Sequence, residues 1–207
     1  MKVTVFHNDL PLNFNFPGDI AIDTETMGLD LDRDRLCVLQ LSNGDGNAYL
    51  IQFSKECYDA PNLKKLLLDK NRKKIFHFAR FDLAIIKKYL NTDLSNIFCT
   101  KIASKLARTY TDYHGLRDLC KEVLGINISK QQQSSYWGAD KLTEEQKEYA
   151  ARDVIYLHLL MKRLIERLKA ENRNDIAHKI FAFLPIRANL DLIGWNNIDI
   201  FAHGSSR

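Results

Sequence analysis

Long apolar runs are missing from this sequence: no stretch approaches the roughly 18 residues that a membrane-spanning helix needs. The N-terminus also lacks the apolar core of a secretory signal peptide, and it looks like an edge strand instead. Proline (4) and glycine (9) are scarce among the 207 residues, which argues against disorder and against repeats. We therefore expect a single globular domain over residues 1–207, located in the cytoplasm and without a membrane partner.

Cysteine pairs at a metal-binding or redox spacing are also missing. The four cysteines are scattered along the chain with no Cys-x-x-Cys pair, so neither a zinc site nor a disulfide framework is expected. Neither sign of charge dominates, because 30 Lys and Arg face 26 Asp and Glu, for a net charge of +4. This balance is compatible with a polyanionic partner but is too mild to imply one.

The periodicity of the apolar residues predicts an α/β fold. Asn43–Asn47 lies between two β-rich runs and predicts a hairpin. Strands are expected at Lys2–Phe6, Ile20–Thr26, Leu36–Ser42, Ala48–Phe53, Ile75–Phe78 and Ile97–Cys99. Helices are expected at Ala60–Leu68, from Asp82 onward, at Lys101–Ala107, at Leu116–Leu124 and from Glu144 to about Glu171, the last behind a capping box at Thr143–Gln146.

Three other segments are interpreted from composition. Asp30–Arg35 superficially resembles a calcium loop but lacks the central glycine and the final glutamate, so we interpret it as a turn. Ile128–Gly138 is polar with two aromatics and is expected to be an ordered loop that can face a substrate. The apolar tail Ile176–Phe201 must pack on the core of a monomer, or it can lie between the subunits of an oligomer.

Carboxylates mark the end of the second strand. Asp23 and Glu25 are two residues apart, so on a strand both side chains point to the same face. Two like charges this close are unfavourable unless a cation compensates them, and oxygen ligands suit Mg²⁺ or Mn²⁺. The alternative is a strand that runs into an acidic loop.

Further acids follow at a strand-to-helix junction and on a late helix. Asp82 can be a metal ligand or, alternatively, a helix N-terminal cap. Tyr149 and Asp153 are four residues apart and share one helix face, which is most often a structural pattern. Together, however, four carboxylates can hold two divalent ions that assist an in-line displacement at phosphorus. Tyr149 would orient the attacking water, because a phenol with a pKa near 10 is a poor base.

These motifs resemble those of a known enzyme family. Asp23-Thr-Glu25, His77-Phe-Ala-Arg-Phe-Asp82 and Tyr149-Ala-Ala-Arg-Asp153 are similar to the three motifs of the DEDDy 3′-to-5′ exonucleases of the ribonuclease D type. The resemblance covers essentially the whole chain and is greatest to the short stand-alone branch, nano-RNase C. It implies a ribonuclease H-like α/β fold with a mixed five-stranded sheet, flanking helices and a helical, apolar C-terminal tail. It also implies that no accessory helical nucleic-acid-binding domain is present.

The same resemblance implies a set of site residues and a cofactor. Asp23, Glu25, Asp82 and Asp153 become ligands of two divalent cations, Mg²⁺ or Mn²⁺, and Tyr149 positions the water. Further candidates are expected to contact the substrate. Thr26 lies beside the acids, Met27 and Leu29 would wedge against a base, and His77 would contact the 3′ end. Arg108, with Lys101 and Lys105, would bind a 5′ phosphate. The alternatives are loop packing for the wedge residues, a core histidine for His77 and a solvated face for the basic residues.

The leading hypothesis is therefore a two-metal 3′-5′ exoribonuclease that splits short RNAs, above all dinucleotides, into nucleoside 5′-monophosphates. The resemblance also implies a homo-oligomer, which is an octameric ring in nano-RNase C. A second hypothesis keeps the chemistry but takes longer RNA or DNA 3′ ends as the substrate. A third, from another class, is an inactive nuclease fold that serves as an RNA-binding scaffold; the presence of all four acids and the tyrosine argues against it.

Overall fold

A mixed six-stranded sheet lies at the centre of the computed structural model, which describes residues 1–128 and 135–203. The strand order is β1-β4-β3-β2-β5-β6. The strands are β1 (Val3–His7), β2 (Ile20–Thr26), β3 (Leu36–Ser42), β4 (Ala48–Gln52), β5 (Lys74–Phe76) and β6 (Ile97–Cys99). The helices are α1 (Pro61–Leu67), α2 (Ala79–Leu90), α3 (Thr100–Ala107), α4 (Leu116–Leu119, widened into a π-helical turn over Cys120–Leu124), α5 (Glu144–Ile155), α6 (Leu157–Ala170) and α7 (Asn174–Leu190).

The predicted fold class is confirmed, and all six predicted strands join one sheet, whereas the family resemblance implied five. Strand β1 corresponds to the strand predicted at Lys2–Phe6, and it pairs in parallel with β4 at the edge of the sheet, from Val3 opposite Ala48 to His7 opposite Gln52. The β3–β4 hairpin forms as predicted, with antiparallel pairing that runs from Val38 opposite Gln52 to Leu41 opposite Tyr49.

Strand β2 occupies the middle of the sheet because its first half is completely apolar. Ile20, Ala21 and Ile22 have no exposed surface, as expected for a strand that is covered on both faces. It runs antiparallel to β3 and parallel to β5, and its pairing with β3 shifts between Glu25 and Thr26. Such an irregularity bends the end of a strand and redirects its side chains. Because β2 and β5 run in parallel, the acidic end of β2 lies at the same edge of the sheet as the end of β5.

Helix α2 begins three residues earlier than predicted, at Ala79 rather than Asp82. Strand β5 correspondingly ends at Phe76, two residues before the predicted end. Phe78 makes the sharp turn between them with a left-handed backbone (φ 71°). Because of this early start, Asp82 lies within the first turn of α2, on the face that is buried against the sheet.

The long C-terminal helix that we expected is in fact two helices. The capping box is confirmed, since Thr143 and Gln146 exchange side-chain-to-backbone hydrogen bonds at the start of α5. The helix is interrupted at Tyr156, whose backbone angles (φ −94°, ψ −9°) depart from the regular α-helical values of about −63° and −42°. The break lets α5 cover β2, β3 and β4, whereas α6 packs on α3. Apolar periodicity continues across Tyr156, so the sequence pattern did not reveal the change of direction.

The apolar tail is partly buried and partly exposed. Its helix, α7, packs against α2 and β6, and the rings of Phe181 and Phe98 lie 4.8 Å apart. The π-helical turn that follows α7 (Asp191–Trp195) is held by Asp191. Exposed apolar side chains then follow at Ile193, Trp195, Ile198, Ile200 and Phe201. No helix within the described ranges is both long and apolar enough to cross a membrane. Of the predicted polar loop, residues 129–134 lie outside the described residues.

Candidate active site

Three carboxylates from two elements meet at the acidic end of β2. Asp23 and Glu25 lie on one face of β2, and α5 crosses that face and brings in Asp153. One oxygen atom from each side chain lies within 4.8 Å of the other two. The period of the strand accounts for the first pair, whereas the approach of Asp153 depends on the packing of α5 across the sheet.

The fourth predicted acid, Asp82, lies beside this group but outside the 4.8 Å cluster. It is not the N-terminal cap of α2, because Phe78 occupies that position and no side chain caps the helix. The Asp82 side chain is buried, and its Oδ1 accepts a 2.6 Å hydrogen bond from the Thr24 hydroxyl of β2. The alternative interpretation of Asp82 as a cap is therefore wrong.

Burial raises the pKa values of all four carboxylates, and the charges of neighbouring acids raise three of them further. Burial raises the pKa of Asp23 to about 7. Burial, followed by the charges of Asp23, Asp153 and Asp82, raises the pKa of Glu25 well above its usual range. The pKa values of Asp82 and Asp153 are also raised, first by burial and then by the charge of Asp23. Such mutual repulsion disfavours four ionised carboxylates in the protein alone.

The donor set fits divalent cations. In the described part of the chain, no lysine, arginine or histidine forms an ion pair with any of the four carboxylates. A cluster of carboxylate oxygens that lacks a protein cation matches the preference of Mg²⁺ and Mn²⁺ for hard oxygen ligands. The site can therefore hold the cations that the sequence predicts.

Tyr149 lies one helical turn before Asp153 on α5. The centre of its ring lies 6.0 Å from that of Trp137, and its hydroxyl faces the Asp153 carboxylate. Burial and the surrounding acids, Asp153 first among them, hold the pKa of this phenol well above its usual value. The hydroxyl consequently stays protonated at neutral pH and can orient a water molecule, but it cannot act as a base.

The predicted wedge residues lie on the loop that follows β2. Thr26 is buried and donates its hydroxyl proton to the Gly28 carbonyl within the loop. Met27 is 41% exposed, whereas Leu29 is 82% exposed. Leu29 helps to line an open cavity of about 530 Å³ together with Phe78, Arg80 and Phe81. An apolar side chain this exposed is not explained by loop packing, so Leu29 remains available to a substrate base.

The remainder of that loop forms a turn, as predicted for Asp30–Arg35. Asp30 accepts hydrogen bonds from the backbone amides of Asp32 and Arg33. The Asp34 carboxylate accepts hydrogen bonds from Nε and Nη2 of Arg33, at 2.8 Å each, and from the Asp30 backbone amide. These bonds are typical of an Asx turn and leave Asp34 neutralised by arginine, so the calcium-loop resemblance has no structural basis.

The two remaining substrate candidates have different outcomes. His77 follows β5 and its Nδ1 lies 2.9 Å from the Thr100 hydroxyl, with burial lowering the pKa of its ring to about 3. It is therefore a neutral ring at the strand edge where the acids lie.

The prediction for Arg108 needs correction. Its side chain is completely buried, and it bonds to Glu122, Ser104 and the Tyr113 carbonyl. A guanidinium engaged in this way does not present a phosphate-binding surface.

Two side chains near the site escaped the sequence analysis. Phe78 is 46% exposed beside Leu29, and the Lys101 ammonium lies 4.3 Å from its ring centre. A non-glycine residue with positive φ is frequently found at functional sites, but no sequence pattern signals it here. Gln40, on β3, donates to the Glu25 carboxylate at 3.4 Å. Strand alternation, combined with antiparallel pairing of β2 and β3, could have placed Gln40 on the acidic face.

Known proteins with the same organisation identify the family. The family model described as "3'-5' exonuclease" matches residues 8–169. This chain belongs to that exonuclease family. Its resemblance to the ribonuclease D type is confirmed by ribonuclease D of Gluconacetobacter diazotrophicus, which is 33% identical over 156 residues. That match covers 75% of this chain but only 39% of the relative, so the chain spans well under half of the relative's length.

Two solved structures match nearly the whole exonuclease chain. NrnC of Brucella melitensis bound to pGG is 53% identical, with a TM-score of 0.95 over 99% of this chain and 100% of that one. NrnC of the same organism with bound Mg²⁺ is 52% identical, with a TM-score of 0.94 and the same coverage. The exonuclease family and the cluster of Asp23, Glu25 and Asp153 together confirm the predicted divalent-cation cofactor.

Proposed function

We propose that this exonuclease hydrolyses short RNAs from their 3′ ends, with dinucleotides as the preferred substrate and nucleoside 5′-monophosphates as the products. The observation that carries the proposal is the convergence of Asp23, Glu25 and Asp153, with Asp82 beside them, in a chain that resembles a pGG-bound nuclease over its whole length. Four such carboxylates are the ligand set that two-metal phosphodiester hydrolysis requires.

The roles of the residues follow from their chemistry. When bound, a pair of divalent cations polarises the phosphate and lowers the pKa of the attacking water. Asp23, Glu25, Asp82 and Asp153 would hold these cations, whose charge favours the ionised form of all four acids. Tyr149 would hydrogen-bond the attacking water while its contact with Asp153 fixes the direction of its hydroxyl. The proton of that water leaves to solvent, because Tyr149 itself stays protonated.

Recognition of the substrate is assigned to the mouth of the site. Leu29 and Phe78 expose apolar surface on two sides of one cavity, which suits the faces of nucleobases. The Lys101 ammonium lies next to Phe78 and can pair with a phosphate. The preference for two nucleotides rests on the similarity to the relative that was solved with pGG, a compound whose notation denotes two guanosine nucleotides.

Trimming of longer RNA 3′ ends is the second candidate function. This function is favoured by the sequence match to ribonuclease D, because the match covers three quarters of this chain. The cavity beside Leu29 is open, and an open groove accepts a longer strand unless another subunit closes it. DNA 3′ ends would be cut by the same chemistry.

Assembly and location are part of the same proposal. The exposed apolar side chains that follow α7 suit a homo-oligomer, of which an octameric ring is the form that the resemblance implies. The bacterial ribonuclease D relative supports a cytoplasmic location. The organisation of residues 1–207 as one exonuclease domain without an accessory domain stays a prediction.

The direct test is to incubate the protein with a 5′-phosphorylated RNA dinucleotide and Mn²⁺ and to separate the products by chromatography. We expect two nucleoside 5′-monophosphates per substrate, and no product when EDTA is present. A nucleoside 3′,5′-bisphosphate together with a free nucleoside would contradict the proposed chemistry, since these products require cleavage of the other phosphoester bond. A complete lack of hydrolysis would favour a binding protein instead.

A further inference from the structure

Gln40 lies on the face of the sheet that carries the carboxylate cluster. It is the cross-strand partner of Asp23 in the β2–β3 pairing, and directly paired residues share one face of a sheet. Gln40 therefore lies on the same face as Asp23 and Glu25. Its side chain has no exposed surface, and its Nε2 donates a hydrogen bond to Glu25 Oε1 over 3.4 Å.

The orientation of this carboxamide is fixed by charge. With the amide nitrogen toward Glu25, a donor meets a carboxylate oxygen; the reversed orientation would bring two acceptors together. The Gln40 carbonyl oxygen must consequently point away from Glu25. This Oε1 is buried and has no hydrogen-bond partner among the described residues. A buried acceptor of this kind is unfavourable unless a donor reaches it, and ordered water is the usual donor.

A complementary donor lies on the same face of the sheet. Leu50 is paired with Gln40 across β3 and β4, and Leu50 belongs to the same apolar cluster as Trp137. The Trp137 indole is buried, and its Nε1 likewise has no partner in the described part of the chain. Among the described residues, one buried acceptor and one buried donor without partners thus lie on the face of the sheet that α5 covers, and the Trp137 ring packs against Tyr149 of that helix. A water molecule can accept from the indole and donate to the carboxamide.

We propose that Gln40 is a positioning residue that aligns the Glu25 carboxylate, and that a buried water links Gln40 to Trp137. In this arrangement Trp137 fixes the water, the water fixes the carbonyl end of Gln40, and the amide end of Gln40 fixes Glu25. Hydrogen bonds of this kind orient metal-ligating carboxylates and strengthen their hold on a cation. The inference rests on the proposed function only for its effect on turnover, because Mn²⁺ binding is measurable without any substrate.

The test compares Mn²⁺ binding by the substrate-free protein and its variants, followed by electron paramagnetic resonance and by calorimetry. Gln40→Met removes both polar ends at similar volume, and Trp137→Phe removes the indole donor. We expect Gln40→Met to weaken Mn²⁺ binding about tenfold or more, within the range known for partners of metal ligands. Trp137→Phe should cause a smaller loss, and the double variant should bind no more weakly than Gln40→Met alone.

The matched control is Thr92→Val. The Thr92 hydroxyl is also buried and without a partner within the described ranges, but it follows the distal end of α2. This variant should bind Mn²⁺ like the unmodified protein. If Gln40→Met does not fold, Gln40→Asn keeps an amide that is too short to reach Glu25 and should show the same weakening.

Kinetics distinguish a positioning role from a general loss of structure. The Gln40 variant should need about tenfold more Mn²⁺ for half-maximal turnover, while its KM for RNA at saturating Mn²⁺ stays unchanged. Unaltered Mn²⁺ affinity in the folded Gln40 variants would overturn the inference, as would an equal loss in Thr92→Val. If the Gln40 variants lose Mn²⁺ affinity as expected but the unmodified protein cleaves no dinucleotide, only the proposed function would be overturned.

Discussion

At the scale of single residues, Asp153 joins the two halves of the site. It comes from α5 and completes the oxygen cluster with Asp23 and Glu25 of β2. We expect Asp153→Asn to reduce kcat more than about a hundredfold, because cation stabilisation of the transition state amounts to several kcal/mol. The shape of the side chain is kept, so the melting temperature should not fall. Substantial remaining turnover in steady-state assays would show that Asp153 is not a ligand.

The stability of the metal-free protein should depend on pH through the four acids of the site. The pKa of Asp23 is raised to about 7 in the folded chain, compared with 3.8 ordinarily, and the other three acids shift in the same direction. Between these pH values the folded state holds protons that the unfolded state has lost, so stability falls as pH rises from about 4 toward 7. Thermal unfolding in EDTA should therefore show a lower melting temperature at pH 7.5 than at pH 5.

Added Mg²⁺ or Mn²⁺ should largely remove this decline, because the cation binds the deprotonated carboxylates and binds more tightly as pH rises. The Asp153→Asn variant provides the control, since it has one titrating group fewer and should show a weaker pH dependence. The lowered pKa of His77 works in the opposite direction over this pH range. A melting temperature in EDTA that rises between pH 5 and pH 7.5 would mean that the raised pKa values of the four acids do not outweigh this effect.

At the scale of elements, the turn after α7 is anchored to the helix that carries Asp82. Asp191 accepts two hydrogen bonds from Arg80, at 2.5 and 2.7 Å, and lies 3.2 Å from Arg187. Asp191→Asn leaves two guanidinium groups without their anion. We expect the free energy of unfolding to fall by about 3 kcal/mol, or roughly 6–12 °C in melting temperature for a chain of this size.

The matched control for this pair is Asp93→Asn. The Asp93 carboxylate pairs with Lys87 at 2.7 Å, but it is two-thirds exposed (66%). Exposed pairs contribute less than about 1 kcal/mol, so this variant should melt close to the unmodified protein. Equal losses in the two variants would indicate that the Arg80–Asp191 contact is no stronger than a surface ion pair.

The elements also show how far the sequence leads. Local signals predicted β2 to its exact ends and the capping box of α5, because alternation and capping depend only on neighbouring residues. The break at Tyr156 was missed because apolar periodicity continues through it. The burial of Arg108 was missed for a related reason, since its partner Glu122 lies on another helical segment. Both features, the helix break and the buried ion pair, depend on how distant segments pack in the fold.

The candidate site divides in the same way. Asp23, Glu25, Asp82, Tyr149 and Asp153 could be named from motif spacing, and the structure brings all five together. Phe78 could not be named, because its exposure depends on a left-handed turn that no glycine marks. Gln40 was predictable in part. Pairing of β2 with β3 places it on the acidic face, but the missing partner of its carbonyl oxygen among the described residues emerges only when α5 covers the sheet.

At the scale of the whole molecule, the exposed apolar side chains after α7 bear on assembly. Ile193 is 68% exposed and Phe201 is 77% exposed. Because both face water in a single chain, the double substitution Ile193→Asp and Phe201→Asp should not destabilise a monomer. We expect it to lower the molar mass measured by light scattering if these residues lie between subunits. Leu159→Asp, at a 53% exposed site on α6, is the control and should leave the mass unchanged. An unchanged mass in the double variant would show that these two residues do not lie between subunits.

The most direct test of the central claim, a metal-dependent preference for very short RNA, is a time course with 5′-labelled RNAs of about two, three, five and twenty nucleotides, lengths that extend from a dinucleotide to an RNA that needs an open groove. Each is incubated with Mn²⁺ and, separately, with EDTA. The account predicts rapid loss of the dinucleotide, far slower loss of the longer RNAs and no cleavage in EDTA. Equal or faster trimming of the longest RNA would contradict the claim and identify a general ribonuclease D-like exonuclease.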